Sequence, residues 1–102
     1  MWVVVFLTAC ADGSGTTIDW SFADHRTCAE ADVVTVVVRD AERELVRAPC
    51  DPASTAVDAV TEGEALRVEA IAYHGTVMYR GHAVAGGART HVTLRYVGGR
   101  SP

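Results

Sequence analysis

Apolar and polar residues alternate along several short segments of the chain, and this alternation is typical of β-strands that bury one face. Residues 17–22 place Ile18, Trp20 and Phe22 on one face and polar side chains on the other. Trp20 is the best single candidate for the centre of a core, because a large aromatic side chain gains most from burial. The segment therefore predicts a half-buried first strand.

The next part of the chain predicts a hairpin. Residues 33–39 are almost entirely β-branched and apolar, which indicates a strand buried between neighbours. The charged run that follows predicts a turn at residues 40–43 and a short return strand at 44–48. Such charges usually keep an exposed sheet edge from pairing with other molecules, and a ridge that binds a partner is the alternative. Residues 49–52 contain two prolines, which break regular structure.

Residues 53–60 fit two structures. Asp51 and Pro52 have the residue types of an N-cap and first position of a short helix, which would place Val57 and Val60 on one face. Alternation within the same segment predicts a strand instead. We favour the strand, and the helix stays open as the alternative.

The C-terminal half contains the clearest alternation. Residues 66–73 predict a strand, 77–85 its hairpin partner and 90–97 the closing strand. Gly75 and the Gly86-Gly87 pair provide the turns, since Gly tolerates positive φ. The residues expected to point inward are Leu66, Val68, Ala70 and Ala72 in the first of these strands and Val92, Leu94 and Tyr96 in the last.

Seven strand candidates at this spacing predict an all-β fold, an antiparallel β-sandwich of about seven strands. The sandwich domain is expected to span residues 18–97, with a frayed tail at 98–102. With 102 residues, of which 49% are hydrophobic and 22% charged, the chain can bury the core of a single domain.

The charge balance narrows the classes of function. The formal net charge is −4, and all nine basic residues are Arg. No basic field exists to hold nucleic acid, and no Gly-rich phosphate loop between a strand and a helix indicates a nucleotide. The absence of Lys also excludes Schiff-base chemistry. We expect no cofactor.

The N-terminal segment resembles the lipobox of bacterial lipoproteins. An apolar run ends in Leu7-Thr8-Ala9-Cys10, where the lipobox has a Leu, two small residues and the Cys that receives lipid. The resemblance implies that residues 1–10 are a short or truncated signal segment and that Cys10 is lipidated. Residues 11–17, small and polar, are then a flexible tether.

This resemblance also implies a cellular location. Ala11, rather than Asp, follows the Cys, and the sorting rule of enteric bacteria then implies the outer membrane. The protein would be a periplasmic or surface-exposed lipoprotein of the bacterial cell envelope. Neither Lys nor Arg precedes the apolar run, whereas export signals usually begin with a positive charge. The alternative makes Trp2–Leu7 the first strand of a cytosolic domain.

The three cysteines fit this interpretation. If Cys10 carries lipid, Cys28 and Cys50 remain, and two free cysteines in an oxidising compartment usually pair. Such a disulfide is worth about 3.4 kcal/mol in the chain-entropy model. Two separate reduced cysteines are one alternative. A metal carrier that uses His25 and Cys28 is the other, although no CxxC and no second close pair accompany them.

A second resemblance concerns the sandwich. Gly63 to Ala70, followed by Tyr73-His74-Gly75, is similar to the "G-x-Y-x-V-x-V-x-A … G" stretch of bacterial Ig-like and transthyretin-like modules. Ala65 stands where those modules usually have an aromatic residue. The resemblance implies an Ig-like or transthyretin-like sandwich that binds or scaffolds and is not an enzyme.

Few residues suggest chemistry. Asp24 and His25 are neighbours, but a catalytic triad also needs a nucleophile brought to them in space, and Ser21 stands in no recognisable setting. We therefore expect no catalytic centre and no tightly bound metal. The outward-facing side chains expected to form a weak anion or carbohydrate patch are His82, His91, Arg80 and Arg95.

Together these patterns favour a lipid-anchored, extracytoplasmic β-sandwich with a binding or structural role in the cell envelope. Its partner would be an unknown protein or carbohydrate. The alternative from another class is a small periplasmic inhibitor or ligand-binding protein that acts through a loop such as Asp51 to Thr55. A metal carrier is the third hypothesis.

Overall fold

A computed structural model describes residues 15–58 and 60–98. Within these residues the chain forms seven strands and one short helix, α1 (Cys28–Ala31). The strands are β1 (Thr16–Phe22), β2 (Thr35–Arg39), β3 (Glu44–Pro49), β4 (Ser54–Val57), β5 (Ala65–Ile71), β6 (Val77–Val84) and β7 (Arg89–Tyr96). The predicted signal segment, its lipidated Cys10 and most of the predicted tether and tail lie outside the described residues.

The strands follow the order β3-β2-β5-β6-β7-β1-β4, and neighbours in this order are hydrogen-bonded. The all-β prediction is confirmed. Five of the six pairings are antiparallel, and the pairing of β1 with β7 is parallel. A purely antiparallel sandwich, as the sequence predicted, therefore has one exception, and it joins the first strand to the last.

The sheet folds over on itself into two layers. Strands β3, β2, β5 and β6 form the first layer, and β7, β1 and β4 form the second. The two layers meet where β6 and β7 pair, which they do only at Tyr79–Tyr96 and Arg80–Arg95. Gly81 follows at once on β6, and a Cβ there would come within 2.5 Å of the Thr93 carbonyl oxygen. A residue without a side chain is therefore required where the strands cross so closely.

The inner faces of both layers form one core. The inward residues predicted for the first strand, Ile18, Trp20 and Phe22, are all buried, and so are all four predicted for β5. Phe22 of one layer packs edge-on against Tyr79 of the other, with ring centroids 4.6 Å apart. Burial of this alternating set is what the hydrophobic effect drives, at about 25 cal/mol per Å² of apolar surface.

One residue that was predicted to belong to the core is more exposed than expected. Tyr96 was expected to point inward with Val92 and Leu94, but it is 57% exposed. It does lie on the inward face, because its ring packs edge-on against Tyr79 at 5.4 Å. Tyr96 is the last residue of β7, where the opposite layer no longer covers the strand.

The ambiguous segment forms a strand. β4 covers Ser54–Val57 and pairs with the first half of β1, from Thr16 to Asp19. Strand β3 runs on through Pro49, one residue beyond its predicted end, which a Pro permits because β3 is an edge strand. β1 begins at Thr16, inside the segment predicted as tether.

The predicted disulfide between Cys28 and Cys50 is present, with Cα atoms 6.0 Å apart. Cys28 opens α1, a helix that the sequence reading missed. Thr27 and Glu30 form a reciprocal capping box at its start. The described part of the chain contains no helix that is both long and apolar enough to cross a membrane.

Candidate functional site

A cleft of about 830 Å³ opens beside the second half of β1. We call it the Trp20 cleft. It is lined by residues 20–22 of β1 and the following Ala23, residues 25–29 around the start of α1, Asp51, Ala53, Thr93 and Arg95. The cleft exists because β4 pairs only with β1 residues up to Asp19, apart from one hydrogen bond from Trp20 N–H to the Ala53 carbonyl. Beyond that bond, no described strand pairs with this edge of β1, and we call the edge open.

The indole of Trp20 is the distinctive polar group of this cleft. Trp20 is only 3% exposed, and its Nε1 is buried without a hydrogen-bond partner. Buried donors are almost always paired, since an unpaired one costs about 1–3 kcal/mol. Trp20 lines the cleft, and its covered N–H lacks the partner that a buried donor normally has.

The charged groups around the cleft are mostly basic. His25, Arg26 and Arg95 line it, together with one carboxylate, Asp51. Asp24 lies next to this rim, where its Oδ2 lies 3.7 Å from Arg26 Nε and accepts a hydrogen bond from the Tyr79 hydroxyl at 2.7 Å. This hydrogen bond is the main reason why the pKa of Asp24 is lowered. The arrangement suits an anionic group, which guanidinium groups recognise well.

A second polar group lies on the outer face of β1 and β7, and we call it the Asp19 cluster. Ser21 Oγ lies 3.1 Å from His91 Nε2. His91 Nδ1 contacts Asp19 Oδ1, and Arg89 donates to Asp19 Oδ2 at 2.9 Å. The hydrogen bonds with Arg89 and, second, His91 hold the pKa of the Asp19 carboxyl below its usual range. The cluster therefore keeps an ionised carboxylate behind the imidazole.

A third polar group, the Glu69 cluster, lies on the outer face of the other layer. Arg39 Nε is 3.0 Å from Glu69 Oε1, and the Nε atoms of Arg67 and Arg80 are 3.4 and 3.5 Å from Oε2. Glu69 is 7% exposed, because these side chains cover it. Three permanent cations around one buried carboxylate form a structural ion cluster with an excess of positive charge.

The structure separates the residues that the sequence grouped. Asp24 and His25 do not meet a nucleophile: Asp24 is bonded to Tyr79, and His25 is exposed with φ of 66°. Of the predicted anion patch, Arg80 and Arg95 lie opposite each other in the β6–β7 register, and Arg80 is also paired with Glu69. His91 is instead held by Asp19, and His82 lies opposite Arg67 in the first layer.

The metal-carrier hypothesis loses one of its ligands. Cys28 is bonded to Cys50, so it has no thiolate to offer alongside His25. Among residues 15–58 and 60–98, no group of three or more His, Cys, Asp or Glu side chains is placed to hold a metal ion. The expectation that no metal is tightly bound stays a prediction.

Sequence reasoning missed the Asp19 cluster for a physical reason. Asp19 and Ser21 share a face by the period of two, which the sequence shows. Their partner His91 lies 70 residues from Ser21, on a strand that reaches β1 only through the parallel pairing. No local sequence pattern predicts the parallel pairing of β1 with β7.

Comparison with known proteins adds no relative to this picture. No protein-family model matches the chain, and no curated protein or solved structure matches it. The resemblance to lipoproteins therefore rests on Leu7 to Cys10, and the class of the protein rests on its all-β fold.

Proposed function

We propose that this protein is a lipid-anchored, extracytoplasmic β-sandwich of the bacterial cell envelope that binds a partner through the Trp20 cleft. The anchor is Cys10, for which the support is the motif Leu7-Thr8-Ala9-Cys10. The Cys28–Cys50 disulfide fits an oxidising compartment outside the cytoplasm.

The observation that carries the binding role is the buried, unpaired indole N–H of Trp20, a residue that also lines the cleft. His25, Arg26 and Arg95 also line the cleft, and the two guanidinium groups carry permanent positive charge. The ligand is therefore an anionic group, a carboxylate or a phosphate, presented by a carbohydrate or protein partner. One such group takes a hydrogen bond from the indole and forms ion pairs with the guanidinium groups.

The topology suits an anchored receptor. β1 begins at Thr16, on the side of the anchor, and the cleft lies at its other end, from Trp20 onward. Seven residues of strand span about 20 Å. The cleft and the start of β1 are therefore at opposite ends of the strand.

The alternative of a small periplasmic ligand-binding or inhibitory protein has its own support. Asp51 to Ala53 are exposed, follow Cys50 of the disulfide directly, and supply two residues of the cleft wall. The two hypotheses share the cleft and differ in the anchor.

Cell fractionation decides between them. The full-length gene product is expected in the membrane fraction, and Cys10→Ser is expected to release it. If the unsubstituted protein is soluble and retains Met1, the anchored form of the proposal is wrong and the periplasmic alternative stands.

Ligand binding is tested separately by NMR. We expect the Trp20 indole N–H resonance to shift on titration with glucuronate or inorganic phosphate, and not with glucose. Arg26→Gln combined with Arg95→Gln should weaken this binding at least about tenfold, the effect of about 1.4 kcal/mol. Arg43→Gln, on the β2–β3 turn, is the matched control. If the Trp20 resonance does not shift with either anion, or shifts equally with glucose, the binding role is contradicted.

A further inference from the structure

Ser21 stands at the head of a hydrogen-bonded chain that has the order of atoms found in serine hydrolases. Its Oγ faces His91 Nε2 at 3.1 Å, and His91 Nδ1 faces a carboxylate oxygen of Asp19. With its proton on Nδ1, the imidazole donates to Asp19 and presents Nε2 as an acceptor to the hydroxyl. A nucleophile, a base and a group that orients the base define such a triad on any fold.

The sheet itself builds this arrangement. The parallel register of β1 and β7 puts Asp19 beside His91. Ser21 follows Asp19 by two residues, so both side chains project from the outer face of the strand. Two hydrogen-bonded strands, rather than a loop, fix the relative positions of all three groups.

Arg89 completes the chain behind the carboxylate. It donates to the Asp19 oxygen that His91 does not use, at 2.9 Å. One oxygen is therefore tied to a permanent cation, and the other is left to orient the imidazole. This division gives Asp19 the role of a positioning residue.

Ser21 also has access to a substrate. It is exposed and lines the Trp20 cleft together with Thr93 and Arg95. Thr93 lies opposite Ser21, and Arg95 follows Thr93 by two residues on the same face of β7. An anionic group paired with Arg95 would therefore hold a neighbouring carbonyl on the face that carries the Ser21 hydroxyl.

We propose that Ser21 is a nucleophile, activated by His91, and that the Trp20 cleft hydrolyses carboxylic esters that carry an anionic group. This activity goes beyond the binding role and departs from the sequence-based expectation that the chain is not an enzyme. It uses the same cleft, but it requires neither the lipid on Cys10 nor a stable complex.

The reaction is a balanced acyl transfer. Ser21 Oγ bonds to the carbonyl carbon while its proton passes to His91 Nε2. The bond to the alcohol oxygen breaks, and the alcohol leaves with that proton. Water then attacks the acyl-serine, His91 takes and returns a proton, and the carboxylic acid is released with Ser21 restored. The net change is ester plus water to acid plus alcohol.

The first test is covalent labelling of the full-length protein carrying Cys10→Ser. A fluorophosphonate reagent should add once per chain, and peptide mapping should place it on Ser21. Ser21→Ala should abolish labelling, and His91→Ala should slow it at least about 100-fold, the usual contribution of a general base. Ser54→Ala in β4 is the matched control and should label like the parent protein. Unchanged circular dichroism would show that each variant is folded.

The second test measures turnover of two p-nitrophenyl esters, the neutral acetate and the anionic hemisuccinate. The hemisuccinate should be preferred, and Arg95→Gln should reduce that preference by raising its KM with kcat little changed. The proposal is overturned if Ser21 of the folded parent protein stays unlabelled, or if His91→Ala labels as fast as the parent. Binding of glucuronate to Trp20 would survive that result, so the two proposals can fail independently.

Discussion

The two layers of the sandwich each hold a carboxylate on the outer face, and they treat it differently. In the first layer, Glu69 is buried beneath Arg39, Arg67 and Arg80. In the second, Asp19 is shared between Arg89 and His91. The partners of Glu69 are three guanidinium groups that only donate, whereas one partner of Asp19 is an imidazole, whose two ring nitrogens can donate and accept.

This difference between the two carboxylates indicates which layer carries the groups that we propose to bind and react. The first layer has β5 and β6 flanked by strands on both sides, and its ion cluster only covers the sheet. The second layer leaves the edge of β1 open beyond β4, contains the buried, unpaired indole N–H of Trp20, and holds a hydroxyl and an imidazole on its outer face. Stability and reactivity are thus divided between the layers, and this division can be tested by substitution.

The largest expected effect tests whether the second layer, in which one edge of β1 is open, shares the core with the first layer. Trp20→Ala should cost about 3–5 kcal/mol of unfolding free energy, the usual range for a large buried aromatic residue. Urea unfolding followed by circular dichroism measures it. Tyr73→Ala, at a position 78% exposed, should change stability little and serves as the control. A small effect at Trp20 would mean that the second layer does not share the core.

The next effect concerns the covalent link between the layers. The disulfide joins the start of α1, which follows β1, to the residue after β3. Replacing Cys28 and Cys50 by Ala together should cost about 3 kcal/mol, because the unfolded chain regains loop entropy. Reduction of the parent protein should destabilise it similarly, and a double variant as stable as the parent would contradict this account.

The direct test compares the two carboxylates. Glu69→Gln leaves three guanidinium groups around a neutral amide and should cost about 1–3 kcal/mol, less than a fully buried ion pair because the arginines are partly exposed. Asp19→Asn, among more exposed partners, should cost less than about 1 kcal/mol. Thermal unfolding of both variants gives the order. The reverse order would refute the division into a structural and a reactive cluster.

The smallest effects depend on pH. The folded-state pKa values of Asp19 and Asp24 are lowered, so their contribution to stability is complete above the ordinary Asp value of about 3.9 and is lost as pH falls through the lowered values. Asp19→Asn should remove part of this acid dependence, and Glu42→Gln, at an exposed carboxylate of the β2–β3 turn, is the control. Unfolding measured between pH 5 and 2 tests the sign.

For Tyr79, the pH dependence of stability has the opposite sign. Burial, and second the hydrogen bond to Asp24, raise the pKa of its hydroxyl. Its contribution is therefore present below the ordinary Tyr value of about 10 and is lost as pH rises above it. Tyr79→Phe should flatten this alkaline loss, whereas Tyr73→Phe should leave it unchanged. Unfolding between pH 8 and 11 checks the comparison.

Local patterns predicted most of the strands. The period of two placed Trp20 and Leu66 in the core, because a strand of a sandwich buries alternate residues whatever its neighbours are. The same pattern places Glu69 on the outer face but does not predict that it is buried there. Arg67 of its own strand and Arg39 and Arg80 of the two neighbouring strands cover it, and their assembly depends on the register of the sheet.

The candidate sites show the same limit. The Cys28–Cys50 pair followed from a count of cysteines, which needs no three-dimensional information. The capping box Thr27-x-x-Glu30 was visible and would have predicted α1. The Trp20 cleft and the Asp19 cluster were not predictable, because both depend on where β4 stops and on how β7 meets β1.

The parallel pairing of β1 with β7 also sets the order in which the chain is completed. β1 is synthesised first, but one of its two neighbours is the last strand to emerge. The hairpins β2–β3 and β5–β6 close over short loops, whereas β1 must wait for a contact of high sequence separation, which forms slowly. During that interval β1 exposes an unpaired edge to other chains. A nascent molecule is therefore most prone to aggregate after its first strand exists and before its last one arrives.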